Sequence, residues 1–101
     1  MYISGYDIDD FLNECKEMSL ADAILDTNKE LARLNQMRHP KESYLKEKFT
    51  AYRNFLSDFL GFLEGCPVTI LPEYQRERIK PVIRHFVDTG QLPRSVLDTL
   101  E

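Results

Sequence analysis

Three closely spaced aspartates near the start of the chain are the first residues that could do chemistry. Asp7, Asp9 and Asp10 place carboxylates at alternating and adjacent positions, as the beginning of a calcium loop does. An EF-hand loop also needs a central glycine and a glutamate at its twelfth position, whereas Ile8 and Phe11 follow a helical burial pattern here. We therefore interpret the aspartates as helix caps, because carboxylates accept hydrogen bonds from the free N–H groups of a first turn.

The histidines and cysteines form no recognisable metal or catalytic motif. His39 stands where a helix cap is needed and His85 lies beside the apolar Phe86, and neither belongs to a Glu-x-x-His or His-Glu-x-x-His pattern. Cys15 and Cys66 have no zinc-site spacing, so we expect two free thiols. The four glycines form no G-x-x-x-x-G-K loop that could hold a phosphate. The sequence therefore predicts no enzyme, no metal, no cofactor and no small-molecule substrate.

A basic strip near the C-terminal end raises the alternative of nucleic-acid binding. The strip and its continuation consist of Arg76, Arg78, Lys80, Arg84 and Arg94. Residues 83–100 resemble a helix-turn-helix, because an apolar helix, a turn at Gly90 and a second short helix follow one another. The resemblance implies a small DNA-binding regulator. Against it, Asp98 and Glu101 would repel phosphate, and the strip is equally explained as a solvated face or as pairing with the acidic first helix.

The composition indicates one small domain with an acidic N-terminal part. The chain has 101 residues, 43% of them hydrophobic, which fits a single domain over residues 1–101. With 17 acidic and 13 basic residues, the net charge of -4 argues against a general attraction to nucleic acid or to an anionic membrane. Residues 1–39 hold eight acidic and four basic residues, so the acidic face lies at this end.

The chain shows no signal that would direct it to or through a membrane. Its first residues contain no basic and apolar segments of the kind that form a secretory signal. No apolar run approaches the ~20 residues that a membrane-spanning helix needs. Together with the unpaired cysteines, these features predict a soluble protein of the reducing cytoplasm.

Two consecutive stretches share one apolar spacing and predict a helical hairpin. The first is Leu20, Ile24, Thr27, Leu31 and Leu34; the second is Leu45, Phe49, Tyr52, Leu56, Phe59 and Leu63. Steps of four and three residues average 3.5, so each stretch presents one seam to a partner helix. Only a short break at His39 and Pro40 separates them, which predicts two antiparallel helices packed side by side.

Caps and prolines divide the chain into about five helices. The predicted ranges are 7–18, 20–37 with Ser19 as its N-cap, 40–65, 72–90, and a short helix from residue 93. Residues 66–71 read as an extended connector, and Pro81 should kink or divide the fourth helix near Lys80. The predicted fold is an all-α bundle built around the long antiparallel hairpin.

The end of the third helix is apolar over an unusually wide arc. Its apolar residues Phe55, Leu56, Phe59, Leu60, Phe62 and Leu63 span about 160°, against the ~100° stripe of an ordinary surface helix. Either the first and fourth helices cover this width within the chain, or a second copy or another protein covers it. The sequence thus predicts a non-enzymatic protein–protein interaction or regulatory adaptor module, self-associating as a homodimer through its hairpin. The interaction surface was placed on Tyr52, Phe55, Phe59 and Phe62.

Overall fold

The computed structural model describes residues 7–37, 41–66 and 71–101, and these fold into five α-helices. The helices are α1 (Ile8–Cys15), α2 (Leu20–Gln36), α3 (Ser43–Leu63), α4 (Glu73–Asp88) and α5 (Arg94–Asp98). Within the described ranges no residue belongs to a β-strand. The predicted all-α bundle of about five helices is confirmed.

The predicted hairpin is formed by α2 and α3, which contact each other more extensively than any other pair of helices. Helix α2 ends at Gln36 and α3 begins at Ser43, so a short connection joins two helices that pack against each other, which is a helical hairpin. Both helices turn the seam read from the sequence inward: Thr27, Leu34, Phe49 and Leu56 are among its buried residues, whereas Leu20, Ile24, Leu31 and Leu45 are partly buried. The buried hydroxyl of Thr27 donates to the carbonyl of Ala23 at 2.7 Å, so this polar side chain is satisfied within its own helix.

Side-chain caps fix where α1 and α2 begin. The carboxylate of Asp7 accepts from the amide of Asp10 at 3.1 Å, and the Ser19 hydroxyl accepts from the amide of Asp22 at 3.2 Å. Ser19 must be extended to cap α2, and its ψ is 162°. The chain therefore has to leave α1 before Ser19, which is why α1 ends at Cys15 and the predicted end at residue 18 is wrong.

Glycines in the left-handed conformation end α3 and α4, as the sequence predicted. Gly65 and Gly90 both have φ of 77°, a conformation that glycine adopts without steric cost. After Gly90, the amide of Gln91 donates back to the carbonyl of Phe86 at 2.8 Å, and an equivalent bond follows Gly65. These bonds are the mark of the Schellman motif, which satisfies carbonyls at a helix end.

One predicted break differs in the structure, and two other predicted features lie at least partly outside the described ranges. Helix α4 runs without interruption through Pro81, so the possible division near Lys80 is wrong. Proline removes the donor to the carbonyl of Glu77, but both residues are exposed, so water can replace the lost hydrogen bond. His39, Pro40 and residues 67–70 of the predicted connector lie outside the described residues.

The core surrounds the second half of α3. Helices α1, α4 and α5 contribute the buried side chains of Phe11, Leu12, Cys15, Ile79, Val82, Ile83, Phe86, Val96 and Leu97. The molecule measures 42 × 25 × 20 Å, and the long dimension accommodates α3, whose 21 residues extend over roughly 31 Å. No helix in the described ranges combines the length and the apolar character that crossing a membrane requires.

One side-chain contact ties the C-terminal helices to the beginning of the hairpin. The Gln91 side-chain oxygen, in the turn between α4 and α5, accepts from the amide of Leu20 at 2.7 Å. The Gln91 amide nitrogen in turn donates to the hydroxyl of Thr89 at 2.8 Å. Leu20 is the first residue of α2, where backbone N–H groups have no partner inside the helix. Gln91 therefore supplies a second cap of α2 from 71 residues away in sequence.

Candidate interaction surfaces

The four aromatic side chains predicted to form the interaction surface are buried inside the chain. Tyr52, Phe55 and Phe62 are each 2% exposed, and Phe59 is fully buried. Phe11 of α1 places its ring edge-on to Phe59 at 6.2 Å, and Phe55 stacks on Phe59 at 5.6 Å. The expectation of an exposed aromatic surface is thus wrong, because other helices of the same chain bury the wide apolar arc of α3, with Phe11 of α1 against Tyr52 and Phe59. Burial within the chain was the alternative interpretation of that arc.

Tyr52 is the centre of a small polar network beneath α1. Its hydroxyl donates to the carboxylate of Glu30 at 2.7 Å, and the Arg33 guanidinium donates to both oxygens of the same carboxylate at 2.6 and 3.0 Å. Burial by itself would raise the pKa of Glu30, but the hydrogen bonds from Arg33 and Tyr52 and the charge of Arg33 outweigh it and lower this pKa. Burial, and next the hydrogen bond to Glu30, raise the pKa of Tyr52. The network joins α2 to α3 and keeps Glu30 ionised.

A groove of about 250 Å³ lies between α1 and α2 above this network. Its lining alternates in charge and consists of Phe11, Glu14, Asp26, Lys29, Glu30 and Arg33. Cys15 lies nearby, and burial, followed by the charges of Asp26 and Glu14, raises the pKa of its thiol to about 12. A thiol with this pKa is protonated at neutral pH and is a poor nucleophile. The groove therefore holds no activated cysteine.

Three of the five residues of the basic strip pair with neighbouring carboxylates. Arg78 pairs with Asp9 of α1 at 3.5 Å, which is the pairing with the acidic first helix that the sequence allowed. Within α4, the Lys80 ammonium lies 3.4 Å from the carboxylate of Glu77, three residues earlier. The other pair, Arg94 with Asp98 at 3.9 Å, is on α5. Nucleic-acid binding by this strip stays an alternative prediction, supported by Arg76 and Arg84, which have no carboxylate partner among the described residues.

The remaining members of the strip, Arg76 and Arg84, differ in exposure. Arg76 is partly buried, and its Nε atom has no hydrogen-bond partner among the described residues. It lines a cleft of about 110 Å³ between α4 and the end of the chain. Arg84 is exposed to solvent. In the resembled helix-turn-helix segment, the second helix is only the five residues of α5, which is short for a helix that reads a DNA groove.

The residues considered for metal binding or catalysis are dispersed. His85 is partly buried with its ring tilted against Phe86 at 5.4 Å, and Cys66 is exposed and free. Within residues 7–37, 41–66 and 71–101, no three side chains of His, Cys, Asp or Glu are grouped to hold a metal ion. His39 lies outside these ranges.

The charged residues of α2 all lie on one side of that helix. They are Asp22, Asp26, Lys29, Glu30 and Arg33, and at 100° per residue they fall within an arc of about 100°. This charged side includes the groove against α1. The opposite side of α2 carries no charge, although much of it faces solvent.

We refer to this uncharged, solvent-facing side of α2 as the outer stripe. It consists of Ala21, Leu25, Asn28, Ala32 and Asn35, all of which are exposed. Leu25 is the most apolar of them and is 51% exposed. Beside the stripe, Ile24 and Leu31 are only partly buried against the core. An exposed side of a helix ordinarily carries charged residues, so this side is unusual for a surface facing water.

Comparison with protein-family models, with curated proteins and with solved structures finds no match.

A second exposed region lies along α3 and the start of α4. Two adjoining hollows of about 440 and 170 Å³ share Ala51 and Asn54 in their linings. Tyr74, 64% exposed, borders the smaller one, together with Asp58 and Gln75. The mixture of polar, acidic and apolar groups in this region favours no particular class of ligand.

The sequence reasoning missed the outer stripe, although a signal for it exists. The stripe repeats the 4-3-4-3 spacing of the inward seam one residue later, at positions 21, 25, 28, 32 and 35. We assigned one seam to α2 because a hairpin requires one. A second seam of uncharged residues, in a helix with five charged ones, would have indicated a second neighbour.

Proposed function

We propose that this chain is a non-enzymatic protein–protein interaction module, of the regulatory adaptor type, that self-associates through its helical hairpin. The observation that carries the proposal is the outer stripe of α2, an uncharged surface around the half-exposed Leu25. Because the aromatic residues of α3 are buried within the chain, we assign the contact between copies to α2 instead. The two free thiols agree with a reducing cytoplasm as the compartment in which it works.

The physical reason for association is the removal of Leu25 and its neighbours from water. Burying a fully exposed leucine side chain contributes about 1.5–3 kcal/mol. Leu25 is 51% exposed in the single chain, so each copy gains about half of this when the dimer forms. The small side chains of Ala21 and Ala32 allow two helix backbones to approach closely, so the contact gains dispersion energy as well. A single pair of helices of this length buries little area, so we expect weak, concentration-dependent association.

Sedimentation or light scattering over a range of concentrations from micromolar to millimolar tests the proposal. The wild-type chain should show a reversible increase in mass, and Leu25→Glu should raise the dimer dissociation constant at least about tenfold. Leu25 is on the surface, so its replacement should leave the helical circular dichroism and the thermal midpoint close to wild type.

Tyr74→Glu is the matched control, because it makes the same change at an exposed apolar residue on α4. It should associate like the wild type. A wild-type chain that stays monomeric over the whole range would overturn the proposal, as would a Leu25→Glu variant that dimerises as well as the control.

A further inference from the structure

We infer that the second copy packs its α2 helix antiparallel to the first across the outer stripe, with Asp22 of each copy beside Lys29 of the other. This inference rests on the self-association proposed above and specifies its geometry. Neither side chain forms an ion pair within the described part of the chain, so both charges are available to a neighbour.

The residues beside the outer stripe divide into one charged flank and one apolar flank. In the heptad notation of coiled coils, Leu25 and Ala32 are a positions, and the alternate stripe residues are d positions. Asp22 and Lys29 then both occupy e positions, whereas the g positions are held by the apolar Ile24 and Leu31. The charges of opposite sign therefore lie on the same edge of the stripe, one heptad apart.

The direction of the second helix decides which flanks meet. Two parallel helices place the e flank of one against the g flank of the other, which would bring Lys29 next to the apolar Ile24 and leave its charge without a partner. In an antiparallel pair, the e flank of one helix meets the e flank of the other, and the two g flanks meet each other. Asp22 then meets Lys29 of the other copy on one side of the stripe. On the other side Ile24 meets Leu31, so opposite charges and apolar groups are both matched.

One register satisfies the flanks and the stripe at the same time. When Asp22 lies beside Lys29 of the second copy, Leu25 lies over Asn28, and Ala21 lies against Ala32. One layer thus pairs the large Leu25 with the medium-sized Asn28, and the other pairs the small Ala21 with the small Ala32. The two-fold symmetry repeats each contact, so the dimer contains two equivalent charge pairs and closes on itself. Closure limits the assembly to two copies.

Cross-linking distinguishes the two directions. Cys66→Ser removes the exposed thiol, and Cys15 is buried with a pKa of about 12, so engineered cysteines are the reactive ones. In the Cys66→Ser background, Ala21→Cys and Ala32→Cys are prepared as two separate variants. When they are mixed under oxidising conditions, one copy of each should be joined by a disulfide. Each variant alone should form little. Efficient coupling of Ala21→Cys to itself would indicate parallel helices and overturn the inference.

Charge reversal provides an independent measurement. We expect Asp22→Lys and Lys29→Asp each to raise the dimer dissociation constant about three- to tenfold, and the double variant to return it close to the wild-type value. The thermal midpoint of each monomer corrects for the capping role of Asp22 in α2. A double variant whose dimer dissociation constant is as high as that of the single variants would overturn the antiparallel arrangement.

The outcomes separate this inference from the proposed function. If the chain dimerises through Leu25 but cross-links in the parallel sense, self-association stands and the antiparallel geometry is wrong. If the chain does not dimerise at all, both are wrong.

Discussion

The two halves of α3 pack in different ways although they follow the same apolar spacing. Between Ser43 and Ala51 the only buried residue is Phe49, and the guanidinium of Arg53 lies 6.0 Å from the centre of its ring. From Tyr52 onward, buried aromatic and leucine side chains occupy a wide arc that α1, α2 and α4 share. The comparison teaches that spacing identifies a seam, whereas the width of the apolar arc reports how many neighbours a helix has.

The largest expected effect on the free energy of unfolding comes from truncating a phenylalanine to alanine in each half of α3. Phe59→Ala should lower the free energy of unfolding by about 4–5 kcal/mol, because Phe59 is enclosed on several sides and the cavity cannot collapse. Phe49→Ala should cost about 3 kcal/mol, since no other residue between Ser43 and Ala51 is buried and the side chains around the site can relax into the space. Urea unfolding measures both. Equal losses would show that the first half of α3 is packed as tightly as the second.

A smaller effect is expected at Tyr52, where the two halves join. Tyr52→Phe removes the hydrogen bond to Glu30 and should lower stability at neutral pH by about 1–2 kcal/mol. Because the pKa of Glu30 lies below its ordinary value of 4.5, the bond stabilises the fold above that pH. Its contribution is lost as the pH falls through the folded-state pKa.

Urea midpoints between neutral and acidic pH test this pH dependence. The difference between wild type and Tyr52→Phe should narrow as the pH drops below 4.5. Tyr44→Phe is the control, since Tyr44 is 58% exposed and should behave as wild type throughout. A difference that does not vary with pH would contradict an ionised Glu30 as the partner.

The smallest effect is expected where the C-terminal helices meet the hairpin. Gln91→Ala should lower stability by about 1 kcal/mol, because it removes the acceptor for the Leu20 amide at the start of α2. Hydrogen exchange at Leu20 should become faster in this variant. Gln36→Ala, at the exposed end of α2, is the control. Unchanged protection of Leu20 in Gln91→Ala would show that water caps this amide equally well.

Most of the fold could be predicted because its signals are local. The seams of α2 and α3, the Ser19 cap and the left-handed glycines depend on residues a few positions apart, and the structure agrees with each. The predicted end of α1 at residue 18 was wrong because Ser19 has to be extended in order to cap α2. Pro81 was read as a possible break, whereas its exposed position lets the helix continue.

The candidate site was harder to predict because burial is a property of the whole fold. The wide arc of α3 was read correctly as a need for more than one neighbour. Which neighbour covers it depends on where α1 and α4 pack, and no spacing within α3 contains that information. The polar partners were missed for the same reason, since Tyr52 and Glu30 are 22 residues apart and Gln91 and Leu20 are 71 apart.

The bond from Gln91 to Leu20 also has a consequence for how the chain is made. During synthesis on the ribosome, α2 and α3 emerge well before residue 91, so a hairpin formed at that stage would have a hydrated Leu20 amide. Only when the turn after α4 has left the exit tunnel can this end of α2 acquire its final partner. The final capping of α2 thus depends on a residue that is synthesised after the whole hairpin.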